Sequence, residues 1–250
     1  MLSFLEYVNG KTIEKKRLEK IGDFTIFTVN ASAIRNIDQG DDEFNHFATH
    51  MEFPKLVPNN EIWISRDISE RERQFLIHNG MNQYLAKKKG KRNWYEYALK
   101  KEKAEREKVD KIKFVGKDRK TPPDKVYYKY YCGIPSENDD VEVWLVDGEI
   151  VRDLYKSDFI EGGNPEVYSW VPKGEIWIEK NLEKEKDEVD ITILHEYIES
   201  TLMKYKKLTY NKAHPIASKV EFHHRNKKWD ITDVKDLNRE EALEMAKRYL

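Results

Sequence analysis

The chain has 250 residues, of which 39% are hydrophobic and 36% are charged, and its formal net charge is −1. The supply of apolar and aromatic side chains is large enough for buried cores, which excludes a disordered chain. The balanced charge excludes a general electrostatic attraction to polyanions.

Two segments of the chain repeat one another about 115 residues apart. Residues 57–64 (Val-Pro-Asn-Asn-Glu-Ile-Trp-Ile) return as residues 171–178 (Val-Pro-Lys-Gly-Glu-Ile-Trp-Ile), and residues 76–78 fall against residues 193–195, which places His78 opposite His195. This spacing is the size of a domain rather than of a solenoid repeat. We therefore expect two tandem structural repeats and a helical extension, at residues 1–118, 125–228 and 229–250.

The first half shows strand patterns followed by helical ones. Residues 24–29 and 61–64 are rich in β-branched and aromatic residues, which predicts strands. Apolar residues then recur at helical spacing from residue 67 to residue 89, and Asn93 is a suitable N-cap for a second helix. Residues 116–124 contain two adjacent prolines and are the best linker candidate.

The second half repeats this order of elements. Strands are predicted at residues 126–131, 141–146 and 175–178, and helices at residues 185–206 and 211–225. Asp147-Gly148 is a hairpin signal, and Asp236 or Asn238 is a candidate cap for a final helix. The fold class is therefore α+β, with two small, mainly antiparallel sheets, each followed by a helix pair, and a C-terminal helix.

Polar side chains that can bind a metal lie at the edges of two apolar helix stripes in the second half. His195 and Glu199 are one turn apart on the first helix, and His214 and Glu221 are two turns apart on the second. If the helices pair as a hairpin, two imidazoles and two carboxylates converge. That set suits zinc and is acceptable to iron, manganese or nickel.

The segment His195-Glu-Tyr-Ile-Glu199 resembles the zincin metallopeptidases, whose signature is His-Glu-x-x-His on a helix. The resemblance implies that His195 binds a metal and that Glu196 is the general base. The sequence departs from the signature at Glu199, which stands in place of the second histidine, so His214 becomes the candidate for a further ligand. Glu221 is then a fourth ligand or a carboxylate that orients a ligand histidine.

A longer pattern resembles an uncharacterised protein family of phages, plasmids and microbes. It runs from Val146 to Glu221 and contains Phe-x-x-Gly-Gly, Pro-x-x-Glu-Ile-Trp-Ile, His-Glu-x-x-Glu and Ala-His-x-x-Ala-Ser-x-x-Glu. The resemblance implies a metal site and a mobile-element context, and it implies no established activity.

Three functional hypotheses follow. The leading one is a zinc-dependent hydrolase, peptidase-like in one form, with an intact site in the second repeat and a degenerate site in the first. The second is a non-enzymatic binding or scaffolding protein of a mobile element, whose His and Glu residues are structural. The third is nucleic-acid binding through a basic and aromatic segment, which the net charge does not favour. That segment contains Lys88, Lys91, Arg92 and Trp94.

A cytoplasmic location with no membrane partner is expected. Residues 1–8 are interrupted by Glu6 and are too short and polar for a signal peptide, and no run of about 18 apolar residues occurs. The lone Cys132 cannot form an internal disulfide, which fits a reducing compartment. The richness in Lys, Arg and Glu is typical of hyperthermophile surfaces.

Overall fold

The computed structural model describes residues 3–8, 11–36, 44, 46–110, 122, 124–135, 140–185, 187–226 and 234–250. The chain divides into two compact units. The first unit comprises Met1–Phe114 with Lys156–Asp158, and the second comprises Val115–Tyr155 with Phe159–Leu250. The predicted linker at residues 116–124 lies mostly outside the described residues.

The first unit is built on a five-stranded sheet. Its strands are β1 (Ser3–Val8), β2 (Lys11–Ile21), β3 (Phe24–Val29), β4 (Phe47–Thr49) and β5 (Glu61–Ser65), in the spatial order β1-β2-β3-β5-β4. β3 and β5 are parallel, and the other neighbouring strands are antiparallel. Successive side chains of a strand face opposite sides, so Ile62 and Ile64 join one buried cluster and Trp63 joins another.

The helices of the first unit are α1 (Ala31–Arg35), α2 (Glu70–Lys88) and α3 (Trp94–Asp110). The hydroxyl of Ser69 accepts a hydrogen bond from the backbone N–H of Glu72 at 3.2 Å. This cap satisfies a backbone donor that has no partner within the helix, so α2 begins at Glu70 rather than at residue 67. α2 packs against α3 and against β4 and β5.

The second unit has a four-stranded sheet of the same design. Its strands are β6 (Tyr127–Ile134), β7 (Val141–Val146), β8 (Gly162–Gly163) and β9 (Glu175–Glu179), in the order β6-β7-β9-β8. β7 and β9 are parallel, as β3 and β5 are in the first unit, and the remaining pairs are antiparallel. Two mainly antiparallel sheets, each followed by a helix pair, confirm the predicted α+β fold class.

The predicted hairpin at Asp147-Gly148 is wrong. A short helix, α4 (Gly148–Leu154), begins there, and the carboxylate of Asp147 accepts a hydrogen bond from the backbone N–H of Ile150 at 3.2 Å. Asp-Gly is favourable in a tight turn, but aspartate is equally favourable as a helix N-cap. Asn30 caps α1 in the same way in the first unit, which identifies the helix as a shared feature of the repeat.

Three helices complete the second unit: α5 (Glu188–Lys206), α6 (Tyr210–Arg225) and α7 (Arg239–Lys247). They share one buried cluster with β6, β7 and β9. The predicted cap Asn238 accepts hydrogen bonds from the backbone N–H groups of Glu240 and Glu241, each at 3.0 Å. Among the described residues, no helix combines the length and the apolarity that crossing a bilayer requires.

A buried ion pair ties α4 to the sheet of the second unit. The Arg152 guanidinium donates to Glu179 Oε2 at 2.9 Å and to the carbonyl of Phe159 at 3.2 Å. The side chains of Arg152 and Glu179 are 1% and 0% exposed, so neither charge has an alternative partner in water. Loss of either partner leaves a buried charge uncompensated.

Substitution of Arg152 by Met is expected to lower the free energy of unfolding by about 3–5 kcal/mol, because Glu179 stays buried without its cation. The control is Lys247→Ala, which removes the solvent-exposed pair between Lys247 and Glu244. We expect that control to cost less than about 1 kcal/mol. Urea unfolding curves measure both changes, and equal losses of stability would contradict the stabilising role of the buried pair between Arg152 and Glu179.

Candidate metal centre

The polar edges of α5 and α6 meet in the second unit. The C-cap of α5 is Lys207, which has a left-handed backbone (φ 57°), and the backbone N–H of Leu208 donates to the carbonyl of Leu202. This cap turns the chain sharply into α6, so the two helices pack against each other. His195 on α5 and His214 on α6 are brought into contact as a result.

Three ligand-type atoms converge at this contact. His195 Nε2 lies 3.2 Å from His214 Nδ1, and His214 Nδ1 lies 3.0 Å from Glu199 Oε2. The third side of the triangle, from His195 Nε2 to Glu199 Oε2, is 3.9 Å. Bonds of a tetrahedral zinc ion are about 2.0–2.1 Å long, which separates its ligand atoms by roughly 3.3–3.4 Å. The observed distances bracket that separation.

These three residues form the single group of three or more possible metal ligands found among the described residues, with all ligand atoms within 4.8 Å of one another. Glu199 is buried, and burial alone would raise its pKa. The neighbouring imidazoles of His195 and His214 together outweigh burial and lower the pKa of Glu199 to about 2. Glu199 is therefore a charged carboxylate at neutral pH.

Glu221 lies behind His195 rather than beside the other ligand-type atoms. Its Oε2 is 2.9 Å from His195 Nδ1, and its Oε1 accepts from the guanidinium of Arg225 at 2.7 Å. Burial would raise the pKa of Glu221, but the charge of Arg225 outweighs burial and lowers it. An ionised carboxylate can only accept, so His195 Nδ1 donates to Glu221, and Nε2 is the ring nitrogen that faces the other two ligand-type atoms. Of the two predicted roles, this geometry matches the orienting one.

Glu196 shares a hydrogen-bond donor with Glu199. The amide nitrogen of Asn164 lies 2.8 Å from Glu196 Oε2 and 2.9 Å from Glu199 Oε1. The amide oxygen of Asn164 accepts from the backbone N–H groups of Glu166 and Val167, which fixes the direction of the amide. Asn164 thus holds the two carboxylates at a set separation.

Asn164 did not emerge from the sequence as a site residue. It follows the two glycines of β8 in a segment that indicates a turn, and an asparagine there commonly bonds the backbone two residues on. Its second role depends on α5, which is more than twenty residues away in the chain. Local spacing carries no signal for that contact.

The rim of the site lies on the α6 side. The Tyr210 ring stacks on the His214 ring with centroids 5.0 Å apart, and Tyr210 is exposed. The His214 side chain is 27% exposed, whereas that of His195 is 7% exposed. His214 is therefore the most exposed of the three residues, and the exposed side of the site lies on α6.

The predicted nucleic-acid segment forms the turn between α2 and α3 in the first unit. Lys88, Lys91 and Arg92 are exposed, and Trp94 is partly buried. The Lys91 ammonium lies 4.6 Å from the centroid of the Tyr97 ring, so lysines of the same segment already cover part of its aromatic surface. Trp94 is covered in the same way by Lys87, at 5.2 Å. These contacts are typical of a solvated interhelical turn.

The first unit contains a counterpart of the site, but its register differs from the sequence alignment by one residue. His78 lies at the surface and bonds Glu105. Asn79 takes the place of His195, because its amide nitrogen lies 2.6 Å from Glu102 Oε2, as His195 Nδ1 lies beside Glu221. The predicted match of His78 to His195 is therefore wrong at the structural level.

Other members of the counterpart follow the same register. Gln83 is four residues after Asn79 and donates to its amide oxygen at 3.0 Å, and the hydroxyl of Thr49 donates to Gln83 Oε1 at 3.1 Å. Thr49 therefore stands where Asn164 stands in the second unit. The remaining correspondences are Gly80 for Glu196, Tyr95 for His214, Glu102 for Glu221, Arg106 for Arg225 and Glu72 for Glu188.

No protein family, no curated protein and no solved structure matches this chain. The resemblances to the zincins and to the uncharacterised family therefore stay predictions from the motifs.

Gly162 provides the space that the Glu196 side chain occupies. A Cβ atom on Gly162 would lie 2.7 Å from Glu196 Oε1 and 2.9 Å from Glu196 Cγ, which are its two closest neighbours, and 3.0 Å from Thr192 Cγ2. We expect Gly162→Ala to lower the free energy of unfolding by about 1–3 kcal/mol through overpacking. In a Glu196→Ala background the same substitution should cost clearly less, and a double-mutant cycle measured by urea unfolding gives the difference.

The control for this cycle is Gly133→Ala in the same unit. A Cβ atom there would meet only the Tyr130 hydroxyl at 3.2 Å, which is the end of an exposed side chain that can move. If Gly162→Ala costs no more than this control, or costs the same with and without Glu196, the close approach of Gly162 and Glu196 is incorrect.

Proposed function

We propose that the second unit is a zinc-dependent hydrolase acting on an amide or a similar carbonyl bond. His195 Nε2, His214 Nδ1 and Glu199 Oε2 are the proposed ligands, and Glu196 is the proposed general base. Peptide bonds are the substrate class closest to the motif resemblance. A related divalent metal such as iron, manganese or nickel fits the same nitrogen and oxygen donors.

The mutual distances of the three ligand-type atoms carry this proposal. Two imidazole nitrogens and one carboxylate form a common zinc ligand set in hydrolytic sites, and the proton shared between His214 Nδ1 and Glu199 Oε2 would leave when both atoms bind the ion. The Nδ1 proton of His195 is held by Glu221 at 2.9 Å, which aims the lone pair of Nε2 at the other two atoms. A carboxylate behind a ligand histidine is the usual way in which proteins fix the imidazole.

Zinc would supply a polarised carbonyl and a bound water whose pKa falls to about 7. Residues of the chain transfer the proton and position the reacting groups. Glu196 accepts a proton from the attacking water and returns it to the leaving group. Asn164 keeps the Glu196 carboxylate beside Glu199, because both accept from one amide nitrogen. Tyr210 and the exposed edge of His214 line the side from which a substrate enters.

The counterpart in the first unit supports a chemical role rather than a structural one. There the same positions are filled by Asn79 and Gln83, which make the equivalent hydrogen bonds without titratable groups. Amides are thus sufficient to hold a helix pair of this design. The charged Glu199 and the two imidazoles of the second unit go beyond that requirement, and they are the groups that a metal needs.

Purified protein exposed to zinc and then dialysed is expected to retain about one zinc ion per chain by elemental analysis. His195→Ala removes a ligand and should abolish retention. His78→Ala is the matched control, since it removes a helical histidine from the surface of the first unit, and it should leave the zinc content unchanged. A parent chain without zinc, or two variants with equal content, would refute the ligand assignment.

Glu196→Gln is expected to keep the zinc content and to lower kcat/KM by about 10²–10⁴-fold, because the amide cannot take the proton of the attacking water. Zinc-dependent cleavage of a mixed set of internally quenched peptides and simple esters is the assay. Cleavage by Glu196→Gln at the parent rate would eliminate Glu196 as the base. Absence of zinc-dependent cleavage by the parent chain would count against the hydrolase itself.

A further inference from the structure

We infer that the first unit carries a latent metal site, in which uncharged side chains occupy the ligand positions and which four substitutions would convert into a zinc site. The substitutions are Asn79→His, Gln83→Glu, Tyr95→His and Glu52→Gln. This inference rests on the proposed function, because the ligand positions are taken from the second unit.

Behind the ligand positions, both units have a frame in which one arginine binds two glutamates. In the first, Arg106 binds Glu72 Oε1 at 2.7 Å and Glu102 Oε1 at 2.8 Å. In the second, Arg225 makes the same two contacts to Glu188 and Glu221. Each frame leaves one oxygen of its second glutamate to hold the residue in the first ligand position.

The first ligand position already has its orienting partner. Glu102 Oε2 lies 2.6 Å from the Asn79 amide nitrogen. A histidine at position 79 would give its Nδ1 proton to the same oxygen, as His195 does to Glu221 Oε2. Its Nε2 would then extend beyond the place of the present amide oxygen, toward Gln83.

The second ligand position differs from a carboxylate by one amide group. Gln83 Oε1 accepts from the Thr49 hydroxyl, as Glu199 Oε1 accepts from Asn164. Gln83 Nε2 also donates to Glu52 Oε1 at 3.1 Å, so a carboxylate at position 83 would face Glu52. Glu52→Gln replaces that repulsion with an amide donor, which is why the design includes it.

The third ligand position is Tyr95. It precedes Glu102 by seven residues on α3, as His214 precedes Glu221 on α6. Seven residues are about two helical turns, so Tyr95 lies on the same side of α3 as Glu102, and His214 lies on the same side of α6 as Glu221. Burial raises the pKa of the Tyr95 phenol, and the nearby charges of Glu52 and Glu102 raise it further. The phenol is therefore neutral and is a poor zinc ligand, whereas an imidazole at position 95 would be a good one.

The latent site has no room for a general base. Gly80 stands in the place of Glu196, and a Cβ atom there would lie 2.9 Å from Thr49 Cγ2 and 3.2 Å from Ile62 Cδ1. In the second unit, Gly162 leaves the corresponding space open. Its counterpart in the first unit is Phe47, because Gly162 precedes the residue that pairs with Trp177 and Phe47 precedes the residue that pairs with Trp63. The converted first unit should therefore bind zinc without adding hydrolytic activity.

The test counts zinc per chain by elemental analysis in a full-length fourfold variant, alone and combined with His195→Ala. We expect about two zinc ions per chain in the fourfold variant, compared with about one in the parent chain. We expect about one in the combined variant, compared with none in the His195→Ala chain. Circular dichroism verifies that each chain is folded. A folded combined variant that retains no zinc overturns the inference.

These outcomes separate the two proposals. If the parent chain binds no zinc while the combined variant binds about one, the latent site stands and the second-unit ligand assignment fails. If the parent binds about one and the fourfold variant gains none, the opposite holds. Added hydrolysis by the fourfold variant would contradict the absence of room for a base.

A reciprocal exchange keeps the inference testable if the fourfold variant does not fold. His195→Asn with Glu199→Gln gives the second unit the amides of the first, and His195→Ala with Glu199→Ala is the matched control. We expect the amide pair to lose zinc binding by more than about 100-fold and to melt at a higher temperature than the alanine pair, because the amides can rebuild the hydrogen bonds. An amide pair that melts no higher than the alanine pair overturns the correspondence.

Discussion

One buried arrangement of charges, with Arg225 between Glu188 and Glu221, is the basis of the site in the second unit. Glu188 is in the first turn of α5 and Arg225 is in the last turn of α6, so the guanidinium joins the two helices at the end of the pair that lies away from the turn at Lys207. The side chains of Arg225 and Glu188 are each 2% exposed. The planar guanidinium of arginine offers five N–H donors in a fixed geometry, so it can bind two carboxylates in set orientations, whereas a lysine ammonium is a point charge without that fork. The pair of helices and the orientation of His195 are thereby fixed together.

The same arrangement in the first unit is built from Glu72, Glu102 and Arg106, and it holds uncharged partners. The hydrogen bonds from Asn79 and Gln83 show that a network of this shape needs no imidazole and no carboxylate in the first two ligand positions. The two units therefore separate two requirements that usually coincide. The Glu-Arg-Glu frame stabilises the helix pair, and the residues in the ligand positions determine whether the site has the nitrogen and oxygen ligands that a metal needs.

Local patterns in the sequence were sufficient for most of the fold. Helical spacing and caps such as Asn238 depend on residues a few positions apart, so the helices of the second unit lie close to their predicted positions. Asp147 shows the limit of such patterns, because aspartate before glycine is favourable both in a hairpin and at a helix start. Tertiary packing decides between them.

Part of the candidate site could also be predicted from local patterns in the sequence. His195 and Glu199 share a helix face, and so do His214 and Glu221, which helical geometry predicts. Asn164 was missed because its bonds to α5 span a long stretch of chain. The correspondence between the two units was also missed by one residue. The sequence alignment matched His78 with His195, whereas in the structure Asn79 contacts Glu102 as His195 contacts Glu221.

Diffraction from crystals soaked in zinc, recorded on both sides of the zinc absorption edge, would show whether His195, Glu199 and His214 hold a metal ion. We expect an anomalous peak bonded to His195 Nε2, His214 Nδ1 and Glu199 Oε2 at about 2.0–2.2 Å, with Glu221 still bound to His195 Nδ1. A peak at other residues, or no peak at saturating zinc, would contradict it.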